Sequence, residues 1–242
     1  VYIYDATDGW LNNSTYSFGF GYYQAAGSFS VAFRSGQLNR ILFEGAGAGT
    51  VQATFATPIN TTHTGGSFGL SNSVRGVFSA LDGNSSTTME FITLALNTNG
   101  TDFGNLSVGR GTRPQSTSHA TRGIIAGGNS GSVSNVMDYI TIASAGNATD
   151  FGNLSVARST FPSQAMSSTV RSVFSGGTTG TIVDVMDYVT IASTGNATDF
   201  GNLTSARIDG GAVNSTTRGI LGGGRLSNFL LTLDYITIAS AG

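Results

Sequence analysis

Carboxylates, guanidinium groups and two histidines are the side chains of this 242-residue sequence able to move a proton, hold a cation or pair with an anion. Asp102, Asp150 and Asp199 each precede Phe-Gly, and Glu90, Asp138, Asp187 and Asp234 each precede an aromatic residue. Arg75, Arg122, Arg171 and Arg218 open short apolar runs; Arg110, Arg158 and Arg207 close longer phrases. Glycoside hydrolysis uses a close pair of carboxylates, and a catalytic group is needed once per site. These residues recur once per repeat. They are therefore expected to be scaffold, with Asp capping turns and Arg bridging neighbouring repeats through its forked donors. The acids outside the repeat, such as Asp184 and Asp209, fall in variable loops.

The remaining chemistry is sparse. His63 and His119 stand in unrelated contexts and read as solvated loop residues. No nucleophile elbow, phosphate-cradling loop or paired-histidine motif is present, and Gly222 to Gly224 repeats a Gly-Gly turn found elsewhere. Asn147 with Asp150, and Asn196 with Asp199, would be a repeated calcium site. Calcium takes roughly six to eight oxygens, and one carboxylate per loop is few. Cysteine is absent, which excludes disulfides, thiolate metal sites and thiol catalysis. No catalytic residue, metal or cofactor is expected.

Charge narrows the partners. All 11 basic residues are Arg, the net charge is −2, and charged residues make up 10% of the chain. That gives no electrostatic footprint for nucleic acid and little attraction to an anionic membrane. No apolar run approaches the ~18 residues of a membrane helix, and no signal peptide is visible. The first residue is Val1, as expected of a processed or partial chain. With 35 glycines but 39% apolar and 10% aromatic residues, a packed core is expected and not disorder.

The elements that must position these residues are repeats. MDYITIASAGNATDFGNLSVAR (Met137 to Arg158) returns as MDYVTIASTGNATDFGNLTSAR (Met186 to Arg207), with a weaker copy from Met89 to Arg110 and a half copy from Leu233 to Gly242. A second phrase recurs as VRGVFSA, TRGIIAGG, VRSVFSGG and TRGILGGG, its arginines spaced 47, 49 and 47 apart. A period near 48 lies in the range of propeller blades. RGII followed by Gly-Gly reads as a strand buried on both faces and then a turn. DYITIAS reads as a second strand, and Gly-Asn and Asp-Phe-Gly as turn chemistry before a third. The Ser/Thr-rich link, such as Ser159 to Thr169, is long enough for a fourth. No helical periodicity is sustained.

An apolar strand ending in Gly-Gly, an Asp/Glu-Tyr strand, Asn-x-Thr-x-aromatic-x-x-Leu and then Arg resembles the kelch repeat, with Phe103, Phe151 and Phe200 where kelch repeats carry tryptophan. The wording from DYITIAS to GNLSVAR resembles repeats in structural proteins of tailed phages, marine cyanophages especially, over roughly residues 70–242. The resemblance implies an all-β, kelch-like β-propeller, 1–242, with 71–242 the clear repeats. Residues 1–70 are then degenerate first blades or a separate small β-domain. LNRILFEGAG from Leu38 counts as a degenerate fifth copy, giving five blades. DATDGWLN, Asp5 to Asn12, is similar to NATDFGNL at Asn147 to Leu154, with Trp10 as its aromatic residue. The Asp5–Asn12 segment is therefore expected beside Leu233–Ala239, closing the ring with the N-terminal strand. The implied function is that of a virion structural, fibre or decoration protein, extracellular, without catalysis. Its partners would be other virion proteins, host-surface glycans and further copies of itself. A lectin-like glycan-binding module is the alternative, and a carbohydrate-active enzyme a lesser one. Recognition is expected where the repeats differ, at Arg113, His119, Phe161, Arg225 and Phe229.

Overall fold

The computed structural model of the chain describes residues 68–79, 86–96, 100–111, 114–160 and 164–240, and the strands at 2–5, 9–12, 21–22 and 30–31. The chain divides into two compact units, Val1–Gln37 and Leu38–Gly242. In the first, β1 (Tyr2–Asp5) pairs antiparallel with β2 (Gly9–Asn12), and β3 (Gly21–Tyr22) with β4 (Ser30–Val31). His63 and the expected fifth copy from Leu38 lie outside the described residues.

The second unit holds four antiparallel meanders, one per repeat. The first sheet is β5 (Gly69–Ser71), β6 (Arg75–Ser79), β7 (Thr88–Thr93) and β8 (Thr101–Asn105). The second is β9 (Gln115–Ser118), β10 (Arg122–Ala126), β11 (Val136–Thr141) and β12 (Thr149–Asn153). The third is β13 (Ala165–Ser167), β14 (Arg171–Ser175), β15 (Val185–Thr190) and β16 (Thr198–Asn202). The fourth has three described strands, β17 (Ile208–Asn214), β18 (Arg218–Arg225) and β19 (Leu233–Thr237). No helix occurs among the described residues. The fold class is all-β.

Strand period explains the layering. Successive side chains on a strand point to opposite faces, so Ile124 and Met137 of the second sheet face forward while Ile125 and Ile140 face back. The forward face of each sheet packs on the rear face of the next. Leu70, Val77, Met89 and Phe103 meet Ile125, Ile140 and Ile142. Ile124, Met137 and Phe151 meet Phe174, Val189 and Ile191, and Met166, Val173 and Met186 meet Leu221 and Ile238. The strand β13 sits in the Ser/Thr-rich link, as its length allowed.

One element differs from the sequence reading. Thr-Asp-Phe-Gly-Asn carries turn residues, yet it forms the fourth strand of three sheets. The ladder absorbs the misfit with a bulge: Asp150 lies opposite Asp138 and Gly152 opposite Met137, leaving Phe151 as the extra residue. Asp150 Oδ1 accepts the Gly152 N–H at 3.2 Å, the expected capping role. The outer edge is then covered by the following sheet. Gly195 N donates to Phe151 O (2.7 Å), Ala197 N donates to Asn153 O (2.8 Å), and Asn153 N donates to Asn196 Oδ1 (3.0 Å). Covering an edge in this way removes a template for unwanted pairing.

The expected arginine bridges are present, and they run from each sheet to the next. Arg110 reaches Asp138 at 2.8 Å, Arg158 reaches Asp187 at 2.6 Å and Arg207 reaches Asp234 at 2.7 Å, all but wholly buried. Burial pushes the Arg110 guanidinium below its ordinary pKa, against the pull of Asp138. A second series stacks on the aromatic residue of its own sheet and donates to a carbonyl of the next. Arg122 lies 4.2 Å over Tyr139 and donates to Ile191 O at 2.6 Å; Arg171 lies 4.4 Å over Tyr188 and donates to Ala239 O at 2.6 Å. Arg171→Ala should therefore cost about 1–2 kcal/mol, from the loss of its cation–π contact and of its hydrogen bonds to Ile238 O and Ala239 O. A melting temperature equal to that of the parent would remove this bridge from the account of stability.

Candidate contact surface

Loops on a rigid scaffold are where binding residues collect. The turn after each Gly-Gly is a five-residue loop pinned by a backbone bridge, Asn129 with Val133, Thr178 with Ile182, and Arg225 with Phe229. Asn129 Oδ1 accepts the Gly131 N–H at 2.9 Å and Thr178 Oγ1 accepts the Gly180 N–H at 3.1 Å, so polar side chains shape the tips. The bases are tied to the segments that enter their own sheet or the next one. Asn129 N donates to Arg110 O (3.1 Å), Gly128 N to Arg158 O (3.0 Å) and Thr178 N to Ser159 O (2.8 Å). The three loops therefore share one end of the strands.

The expected recognition residues do not form one cluster. Arg225 and Phe229 belong to the last of these loops. Arg225 Nε meets Asp209 Oδ2 at 2.5 Å in a solvent-facing pair, and the Phe229 ring is 86% exposed. His119 is half-buried in the β9–β10 turn, where its N–H donates to Arg122 O at 2.9 Å. That turn lies at the opposite strand end, in a different sheet. Arg113 and Phe161 lie outside the described residues. Phe229→Ala should change stability by no more than about 0.5 kcal/mol while weakening any partner contact. A large drop in melting temperature would show that the ring is packed and not presented.

The possible calcium positions have other occupations. Asn147 Oδ1 accepts the Asn105 N–H and Asn196 Oδ1 the Asn153 N–H, both at 3.0 Å, while Asp150 caps its own strand. Among the described residues no three His, Cys, Asp or Glu side chains gather to hold a metal.

Sequence reasoning missed the largest apolar exposure. On the forward face of the fourth sheet Leu233 is 74%, Tyr235 69% and Val213 50% exposed, and Leu231, just before β19, is 98% exposed. The repeat equivalents of Leu233, Met137 and Met186, are 0% and 5% exposed beneath the following sheet. Phe103 stands edge-on to Phe91, Phe151 to Tyr139 and Phe200 to Tyr188, with centroids 6.0, 5.9 and 5.9 Å apart. Among the described residues no ring meets Tyr235 in this way. A cleft beside β19 is lined by Leu203, Thr204, Leu233, Asp234 and Tyr235. Identical wording hides the difference, because burial here depends on what lies over the sheet. No family model matches the chain, and a search of curated proteins returns no match.

Proposed function

We propose that the chain is a structural protein of a phage particle, of the fibre or decoration type. In this reading it is a kelch-like β-propeller of five blades, the ring closed by the N-terminal strand, and it works without catalysis. One observation carries the reading: Arg110, Arg158 and Arg207, once per repeat, are consumed in holding sheet to sheet, whereas the loops after Gly-Gly, which vary between repeats, share one strand end. A scaffold that is constant and a rim that varies suit presentation to other virion proteins or to host-surface glycans. The blade arrangement is supported by the first strands. β5, β9, β13 and β17 approach one another across successive sheets, while the fourth strands make no comparable approach, as in sheets that fan out from an axis.

Mass spectrometry and antibody labelling of intact particles encoded with this gene test the proposal. The chain is expected on the particle surface; its absence from purified particles would refute the reading. The second reading, a glycan-binding module, draws on the hydroxyl-bearing loops around Gly131 and Gly180. Saturable binding on a glycan array, lost on shortening those loops, would favour it.

A further inference from the structure

The loop of the fourth sheet is built like those of the second and third but carries different side chains. Leu230 N donates to Gly224 O (2.8 Å) and Leu226 N to Asn228 O (3.2 Å), as Val183 N donates to Gly177 O (2.9 Å) and Thr179 N to Thr181 O (3.0 Å) in the third sheet. The bridge of Arg225 with Phe229 matches that of Thr178 with Ile182. This shared frame makes Leu226, Phe229 and Leu231 the counterparts of Thr179, Ile182 and Asp184, and of Ser130, Val133 and Asn135 in the second sheet. Polar or smaller residues therefore satisfy the loop. The fourth loop instead holds three exposed apolar side chains at those places. Folding gains little from them, and a cluster of this kind marks an interaction surface.

The charges at the base of the loop indicate the occupant. Arg225 meets Asp209 through Nε, and both side chains face solvent. Nη1 and Nη2 of Arg225 have no acceptor among the described residues, which leaves the guanidinium fork able to hold a second carboxylate. An apolar centre flanked by one charge of each sign is its own complement under a two-fold axis, which sets Arg225 of one copy against Asp209 of the other and the reverse. A partner surface of a single sign would be repelled by one of the two. We infer that the fourth loop is the contact of a symmetric dimer of this chain, with Leu226, Phe229 and Leu231 of the two copies packed together and the Arg225 and Asp209 side chains exchanged across the rim. This goes beyond the virion reading and does not depend on it. One loop from each copy makes an interface at the small end of the specific range, below about 1,200 Å², so monomer and dimer should stand in equilibrium.

Sedimentation velocity of the full chain over a range of concentrations tests the contact. The parent should pass from monomer to dimer as its concentration rises. Leu226→Thr, Phe229→Ile and Leu231→Asp together give the fourth loop the residues of the third. This exchange should raise the dissociation constant by about tenfold or more and leave the melting temperature unchanged. Arg225→Glu and Asp209→Arg should each weaken self-association, with thermal melting showing that each variant is folded. An equimolar mixture of those two chains should dimerise again, because the two-fold then sets every charge against its opposite. A parent that stays monomeric at millimolar concentration overturns the contact, as does a dimer indifferent to the loop exchange or a mixture that stays monomeric. A trimer or an open-ended series would refute the two-fold. The presence of the chain on purified particles, which decides the virion reading, is a separate measurement that none of these results replaces.

Discussion

Replacing Arg158 with alanine should lower the free energy of unfolding by about 3–5 kcal/mol, the cost of leaving one member of a buried ion pair uncompensated. Arg158 and Asp187 have no solvent-exposed side-chain surface, and Nη1 stands 2.6 Å from Oδ2. Asp187 would keep the hydroxyl and N–H of Ser155 as donors but lose its only described cationic partner. Phe174 O would lose the Nη2 donor that reaches it at 3.0 Å. The pair joins the second sheet to the third, so the loss falls on the contact between sheets. Removing both charges, with Arg158→Met and Asp187→Leu together, should cost less than the single change, because apolar replacement of a whole buried pair is often close to neutral. Arg225→Ala provides the contrast, since its exposed pair with Asp209 is worth no more than about 1 kcal/mol. Equilibrium urea unfolding of the four proteins checks all three statements. An Arg158→Ala midpoint within error of Arg225→Ala would contradict the structural role of the buried pair.

A single methyl group at Gly152 should destabilise the chain by about 3 kcal/mol or more, placing it among the costly point changes. Gly152 has φ +134°, a conformation costing of order 1–3 kcal/mol for residues with a side chain. A Cβ there would also collide with the carbonyl of Gly195. The carbonyl cannot swing away freely, because the same loop donates Gly195 N to Phe151 O at 2.7 Å. Gly180→Ala isolates the two contributions. Its φ is +109° but nothing lies within 4 Å of the added atom, so only the conformational cost of about 1–2 kcal/mol remains. Equal losses for the two variants would mean that the approach of sheet to loop is looser than described.

The repeat and its central strands were legible because their signals are local. Ile124 and Ile125 adjoin in sequence and both are buried, and the alternation around Tyr139 and Tyr188 marks a strand directly. Thr149–Asn153 was read as a turn because its Asp, Gly and Asn are turn residues; it is held as a strand by partners more than 40 residues away, such as Asn196 for Asn153. The arginine bridges were anticipated as a class. Which Arg meets which Asp was not, since each partner lies on the following sheet, 27 to 29 residues on. Of the recognition residues, Arg225 and Phe229 are presented together and His119 is not with them. The exposure of Leu233 and Tyr235 could not be read from their repeat positions, whose other copies are covered.

The direction of the bridges has a consequence for how the second unit opens. The hydrogen bonds described above between sheets join immediate neighbours. Such a connectivity behaves as a one-dimensional chain of coupled units, in which each sheet is stabilised by the interfaces at its two faces. The third sheet has both interfaces, whereas the fourth is described with one. Amide hydrogens of β18 and β19 should consequently exchange with deuterated solvent sooner than those of β14 and β15, which carry the same residue pattern. Within the second unit, exchange would advance one interface at a time, slowing at each buried guanidinium.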